Sequence, residues 1–379
     1  MPQVYDVNQR DDDKQCSSSH TKSSRNKRLV LLLYGVIGLS LIGLILRNWF
    51  GVVVFDSDVV ESEQALSDKL TTMYSIKKRP LAPSDNSRES LASVLVLVSA
   101  KGPTSWGGGR SGRSFLSLVS SFDYSKHKLS VGILTSDKDE YLALKRDVRD
   151  SFDSLGFACV TVMHREPGNG PGETIARDDR KELSVQRERR RAIARYRNLL
   201  LFSTLEVWHD GVLWLDSDIV QVPPYLLRKM VDSIDHRDVL AGLDILQPVC
   251  YIIGYDFGGD YDRNAWCGPR LRPNAEEQEE IARGGLFVPR PDVGIQFMSD
   301  LANGPDEIVE LDSVGGTMLY VRAEIHRTGV AFTTNYIIGS DWDYEGYDGI
   351  ESEGLCYVAR FLGFKCWGMV KEQIYHSQD

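Results

Sequence analysis

The sequence contains no Asn-x-Ser/Thr triplet, so N-glycosylation leaves no mark from which its orientation across a membrane could be read. Positive charge is also in short supply. The formal net charge is −10, which would repel a phosphate backbone and argues against a general nucleic-acid binder. No internal repeat is visible. Cysteine is sparse: Cys16 lies before the first apolar run, and Cys159, Cys250, Cys267, Cys356 and Cys366 lie after it. If those five face an oxidising compartment, their odd number leaves at least one unpaired within the chain. Cys250–Cys267 and Cys356–Cys366 are plausible pairs, and the spacing fixes neither. Long apolar runs are absent except at Leu29–Leu46, which carries no charge over 18 residues.

That run is long enough to cross a bilayer as a helix. Lys22, Arg25, Lys27 and Arg28 precede it and Trp49 and Phe50 follow, matching the positive-inside rule and an interfacial aromatic anchor. A cleaved signal peptide has a shorter apolar core and a small-residue cleavage site, whereas this run continues into Arg47-Asn48. The expected organisation is a disordered cytosolic tail over 1–28, a type II signal anchor over 29–46, a lumenal stem over 47–90 and a catalytic domain over 91–379. With 42% hydrophobic and 26% charged residues, the remainder is long enough to bury a large core.

From residue 93 onward, strands alternate with helices. Ser93–Ser99, Leu129–Leu134 and Phe157–Met163 read as strands, Ser114–Phe122 and Glu140–Leu155 as helices, and Glu182–Leu205 as a long basic helix. Asp238–Asp244 reads as a further strand, then Leu355–Leu362 as a helix and Lys365–Val370 as a strand. This order implies right-handed crossovers and a mixed, mostly parallel sheet flanked by helices. Ligands of such sheets bind at the carboxyl ends of the strands, which points to Ser99, Lys101 and the loop Gly107-Gly108-Gly109. Most arginines of the basic helix read as a solvated face. Arg197-Asn198 stands apart, because it leads into the next strand and could meet a diphosphate or hold a site carboxylate.

The stretch that organises the chain is Val212–Val222, VLWLDSDIVQV. A short apolar run bounded by breakers reads as a fully buried strand. Two carboxylates at its end repel each other and lose hydration. In extended backbone Asp216 and Asp218 point the same way and can converge on one hard cation, leaving coordination positions for phosphate oxygens. His376 is a candidate third ligand.

Several motifs together resemble the fungal mannan-polymerase mannosyltransferases, glycosyltransferase family 62. They are Arg197-Asn198-Leu199-Leu200, Val212–Pro224, Tyr255-Asp256-Phe257 with Trp266, and Gly315-Gly316-Thr317-Met318-Leu319 leading to His326-Arg327. Ile350-Glu351-Ser352-Glu353-Gly354 and Tyr375-His376 complete the set, over residues 93–377. The resemblance implies a glycosyltransferase A-type fold, Mn²⁺ or another divalent cation, and GDP-mannose as donor. It also implies transfer to a glycan acceptor with retention, a Golgi membrane location and a hetero-oligomer with related chains. Metal ligation would fall to Asp216, Asp218 and His376. Nucleotide binding would fall to Ser99, Lys101, Arg197, Asn198 and Asp216, and catalysis to Asp256, Glu351 and Glu353. Gly339–Gly349 departs from the family pattern, being acidic and glycine-rich where an aromatic-proline segment is expected, and this bears on the acceptor. A scaffold subunit without catalysis, or a transferase of another nucleotide sugar, are the competing readings.

Overall fold

The computed structural model describes residues 59–78, 91–168, 170, 172, 183–235, 243–254, 260–270, 272–285 and 294–378. The expected signal anchor and Asp256 lie outside these residues. Among those described, no helix is long and apolar enough to cross a membrane.

In chain order the strands are β1 (Val59–Ala65), β2 (Thr71–Lys78), β3 (Val94–Ala100), β4 (Leu129–Thr135), β5 (Cys159–Arg165), β6 (Gly211–Leu215), β7 (Ile219–Gln221) and β8 (Ile245–Ile252). They continue with β9 (Trp266–Cys267), β10 (Gln296–Phe297), β11 (Ile308–Leu311), β12 (Met318–Arg322) and β13 (Cys366–His376). Strands β9 and β10 form a small separate ribbon; the others make one eleven-stranded sheet in the order β1-β2-β5-β4-β3-β6-β12-β8-β13-β11, with β7 paired to β13. Seven of the eleven (β1, β3, β4, β5, β6, β8, β13) share one direction, and β2, β7, β11 and β12 run against them. The mixed sheet is thus mostly parallel in direction, as its alternating pattern implies.

The central strands are apolar throughout because both faces are covered. On β3, Val94, Val96, Val98 and Ala100 join one core with Leu213 and Leu215. That core includes Phe115 and Val119 of helix α1 (Gly112–Ser120), Leu144 and Val148 of α2 (Lys138–Leu155), and Leu226 and Met230 of α4 (Leu226–Asp235). Leu95, Leu97, Val212 and Trp214 face the opposite way, against Ala194, Leu200 and Leu201 of α3 (Leu183–Thr204). Trp214 is 1% exposed and meets the Phe332 ring edge-on at 4.9 Å. Truncating such a side chain to alanine costs about 3–5 kcal/mol. The helices start where the side chains predict. Ser111 caps α1, and Asp137 accepts the Glu140 amide at 2.8 Å to cap α2, which ends on left-handed Gly156.

The structure departs in part from three expectations. The β1–β2 hairpin lies inside the expected stem, and β2 pairs with β5 along its whole length, so the folded region begins ahead of residue 91. The charges of β1 hid it: Glu61 and Glu63 sit on an exposed edge and pair with Arg149 and Lys145. Of the strand expected at Asp238–Asp244, residues 238–242 lie outside the described residues; β8 starts at Ile245, and Asp244 just before it fixes the Lys365 amide and Arg322. Of the two suggested disulfides, Cys356–Cys366 is formed, whereas Cys250 and Cys267 are free.

Candidate functional site

Strands β3, β6, β8 and β13 end at the same edge of the sheet. Four distant pieces of sequence meet there: the glycine loop after β3, Asp216–Asp218 after β6, residues 260–262 beyond β8, and His376 at the end of β13. Antiparallel β12 enters from this edge and adds Gly315–Thr317. Parallel sheets gather ligands at such an edge because the loops can close over it.

Asp216-Ser217-Asp218 does not continue the strand. The segment turns, with the Ile219 amide donating to the Asp216 carbonyl at 3.2 Å. The two carboxylates therefore do not project side by side as in extended backbone; they take different partners. Asp216 Oδ1 accepts from Arg197 Nη2 at 2.6 Å. Asp218 Oδ2 lies 2.9 Å from His376 Nε2. The Ser377 amide donates to the Asp218 carbonyl at 2.9 Å, binding the C-terminal segment to this turn.

The His376 ring has a defined tautomer. Its Nδ1 lies 2.5 Å from the Ser377 carbonyl oxygen, which can only accept, so Nδ1 carries hydrogen. In the neutral ring Nε2 is then a bare lone pair facing a carboxylate oxygen. Two acceptors hold that separation only with a positive charge between them, either a proton or a cation. Burial lowers the affinity of His376 for a proton, but the bond to Asp218 outweighs it and raises the pKa above its ordinary value. The Tyr261 ring stacks on the imidazole, with centroids 3.8 Å apart.

Asp216 shows the same excess of negative charge. Burial pushes its carboxyl up to about 7, with Asp218, Asp262 and Glu351 adding to the rise and Arg197 opposing it. Its side chain keeps 36% of its surface open, within reach of a ligand from solution. Among the described residues no three His, Cys, Asp or Glu side chains are arranged to enclose a metal ion. The site fits a cation as an open clamp, with Asp218 and His376 on one side and Asp216 beside them. Hard divalent ions bound through one or two carboxylates take their remaining oxygens from substrate phosphates and water.

The candidates divide sharply on inspection. Arg197 is buried and holds carboxylates: Nη1 bonds Glu351 at 3.1 Å, and its plane lies over the Phe332 ring. Its role is therefore the second of the two open to it, and no diphosphate contact is available to those groups. Asn198 is engaged with backbone: Nδ2 donates to the Phe332 carbonyl and Oδ1 accepts the Phe332 amide, clamping one backbone unit. Glu353 is closed in by Arg190 at 2.9 Å and Arg270 at 2.8 Å, which leaves it no free edge for a sugar. These arginines outweigh burial and lower its pKa. Glu351 bridges Arg190 and Arg197. It does so at φ 61°, ψ −123°, a conformation rare for a side-chain-bearing residue, and it leads into the helix Ser352–Phe361. Ser99 Oγ is buried without a hydrogen-bond partner at the end of β3, and Lys101 is exposed just beyond it.

Several residues of the site carry no local signal. Arg190 and Arg191 turn inward although their helix reads as a solvated face; Arg191 pairs with Glu345. Asp262 is 8% exposed and accepts from the amides of Gly316 (2.9 Å) and Thr317 (3.1 Å) and from the Thr317 hydroxyl (3.0 Å). It thereby shapes the turn whose Thr317 carbonyl receives the Asp216 amide. The glycine pair in that turn was the available clue. A Cβ on Gly315 would overlap the Asp262 carboxylate, and one on Gly316 would overlap the Arg197 guanidinium. Gly107, at φ 67°, likewise passes so close to Ser377 that a Cβ there would overlap its side chain.

Comparison with known proteins adds the following. Residues 72–336 match the model of the Anp1 family. The chain is 28% identical over 268 residues to the mannan polymerase complex subunit mnn9 of Schizosaccharomyces pombe, covering 68% of this chain and 74% of that protein. It is also 28% identical to the mannan polymerase complex subunit MNN9 of Candida albicans, over 69% of this chain and 70% of the other. Among solved structures, a mannosyltransferase from Pyrobaculum calidifontis in complex with GDP-Man and Mn²⁺ aligns over 76% of this chain and 56% of that one. Its identity is 12% and its TM-score 0.37, too remote to argue from.

Proposed function

The chain belongs to the Anp1 family, and from that membership we propose that it is a metal-dependent glycosyltransferase that moves mannose from GDP-mannose to a glycan acceptor with retention. The observation that carries this reading is the 2.9 Å approach of His376 Nε2 to Asp218 Oδ2, two acceptors that need a positive charge between them, with Asp216 on the same turn. A divalent cation such as Mn²⁺, bound there, supplies the charge that offsets the departing diphosphate. The protein's own part is positional. Arg197 and the Gly316–Thr317 turn hold Asp216 at the mouth, Tyr261 fixes the His376 ring, and the Gly107 loop brings backbone close to Asp218. Glu351 and Glu353 support the arginines from behind, outside any contact with substrate.

We also propose, from the apolar run at Leu29–Leu46, that the protein is a single-pass type II protein of the Golgi membrane with its catalytic domain lumenal. The names of its relatives support assembly with related transferase chains. A second reading, a scaffold subunit that lends its fold to a catalytic partner, draws on the closure of Glu351 and Glu353 by arginines, which leaves fewer free carboxylates for chemistry.

Calorimetry of GDP with the full chain, with and without Mn²⁺, and hydrolysis of a panel of nucleotide sugars separate these readings. The expected result is Mn²⁺-dependent GDP binding and selective hydrolysis of GDP-mannose. Absence of both, in a folded protein, removes the catalytic reading and leaves the scaffold. For topology, protease added to sealed microsomes is expected to remove an N-terminal tag and spare a C-terminal one; the opposite pattern overturns the anchor.

A further inference from the structure

Helix α3 reaches beyond the site. Arg187 lies ten residues before Arg197, about 15 Å away along the axis at 1.5 Å per residue and about 80° away around it. At the Arg187 end lies a second cleft of about 120 Å³, far more than the roughly 10–15 Å³ that a single water needs. The acidic loop contributes Tyr344, Glu345, Gly346 and Tyr347, with Tyr336 beside them. The opposite wall is the end of α5 (Ala275–Ala282) and the glycines after it. Trp342, two residues before Tyr344, is 100% exposed.

We propose that this cleft is a subsite for a distal hexose of an oligosaccharide acceptor. The proposal rests on the glycosyltransferase reading given above and extends it to the acceptor. Three features of the cleft select a neutral polyhydroxylated ligand. Tyrosine rings offer flat apolar faces for the C–H side of a sugar ring, and their hydroxyls offer hydrogen bonds at the edge. Glu345 and Arg187 place an acceptor and a donor on the same cleft. The lining carries one guanidinium, Arg187, and one carboxylate, Glu345, which is itself paired with Arg191, so the cleft has no excess positive charge to draw a nucleotide or another polyanion. The loop is also anchored: Glu345 pairs with Arg191 and accepts the Tyr336 amide at 2.7 Å, and the Tyr347 amide donates to the Ile338 carbonyl at 2.9 Å. The separation from Arg197 is one that a short oligosaccharide covers and a monosaccharide does not. The cleft therefore reads the length of the acceptor while the first site handles the donor.

The test is saturation-transfer NMR of the full chain with mannose oligosaccharides of one to five units, without donor or metal. Affinity is expected to rise with length in the wild type. In Tyr344→Ala and in Arg187→Gln, the ratio of tetrasaccharide to monosaccharide affinity is expected to fall about tenfold, equivalent to roughly 1.4 kcal/mol. Tyr344 is 38% exposed and the Arg187 side chain 34%, so neither replacement empties a core. An unchanged ratio in both variants overturns the subsite, and so does a length effect that Asp218→Ala abolishes and these variants leave alone. If the wild type hydrolyses no GDP-mannose yet shows the length effect and loses it in the variants, the donor assignment fails and the subsite stands.

Discussion

Two clusters of carboxylates meet at the Arg197 guanidinium, and they are built in opposite ways. On one side Asp348, Glu351 and Glu353 are interleaved with Arg190 and Arg270. Their side chains are 6%, 10% and 4% exposed, so the cluster is shut. On the other side Asp216 and Asp218 keep 36% and 30% of their side chains open, with Asp262 buried behind them. Arg197 pairs directly with only Asp216 among these three; the Arg110 guanidinium, held on the Ile219 carbonyl at 2.7 Å, acts on Asp218 from nearby, and the remaining positive charge available is a proton on His376. Residue type does not separate the clusters; the supply of cations does. A carboxylate group whose charge is already balanced holds the fold together, and one left in deficit at a strand edge is placed to take a cation from solution.

The sharpest way to break this contrast is to unbalance the closed cluster. Arg190 bonds Glu351, Glu353 and the Ile350 carbonyl. Arg190→Ala leaves two buried carboxylates short of a partner, and the expected loss of stability is about 3–5 kcal/mol by denaturant titration. A loss below about 1 kcal/mol would show that the cluster is hydrated and the contrast false. Next comes the open cluster. Asp218→Ala relieves repulsion, so stability is expected to hold. Mn²⁺-dependent GDP binding is expected to weaken by at least the roughly hundredfold that outer-shell losses reach. Unchanged binding by calorimetry in the folded variant would remove Asp218 from the cation site.

The two clusters were unequally legible. Asp216 and Asp218 announce themselves because an apolar strand, VLWL, runs straight into them. Trp214 and Leu97 likewise show by composition that both faces of the sheet are covered. Glu351 and Glu353 stand out as acids too, but nothing in their spacing says that Arg190 and Arg270 close over them, since Arg270 lies 83 residues from Glu353 and Arg190 lies 161 from Glu351. Asp262 is invisible for a related reason: it bonds backbone amides, which have no sequence signature. Only Gly315-Gly316, by omitting two side chains, records its presence. The β1–β2 hairpin was missed because an edge strand can carry Glu61 and Glu63 on its exposed side and lose its apolar pattern.

A smaller effect is expected at His376. Replacing it by alanine removes one neutral nitrogen donor and leaves the carboxylates, so Mn²⁺ affinity should fall about tenfold, roughly 1.4 kcal/mol. High Mn²⁺ should restore part of the nucleotide binding. The structure supplies the premise, since the C-terminal segment is tied to the Asp218 carbonyl through Ser377. Binding at wild-type level in low Mn²⁺ would mean that His376 meets Asp218 only through a proton.

The smallest effect expected is a pH dependence confined to the closed cluster. The Asp348 carboxyl is pushed up to about 6, first by burial and then by Glu353, while Arg270 and the hydrogen bonds from Gly349 and Tyr357 oppose the rise. A carboxyl whose folded pKa lies above its ordinary 3.8 binds more protons folded than unfolded between those two values. Its protonation therefore favours the fold at the acid end, and stability falls as pH climbs from about 4 to about 6, then levels off. Glu353 shifts the other way, so its contribution is present above its unfolded pKa and is lost towards more acid pH. Because the two face each other across Arg270, the net slope is expected to be shallow, about 1 kcal/mol over the window. In Asp348→Asn the downward limb should become shallower between pH 4 and pH 6, the remainder belonging to other raised carboxyls such as Asp216. Thermal melts of wild type and variant at steps of pH measure the difference. Parallel curves would show that the acid pair shares no proton and that Arg190 and Arg270 keep both carboxylates ionised throughout, a tighter balance than the open cluster's deficit is being measured against.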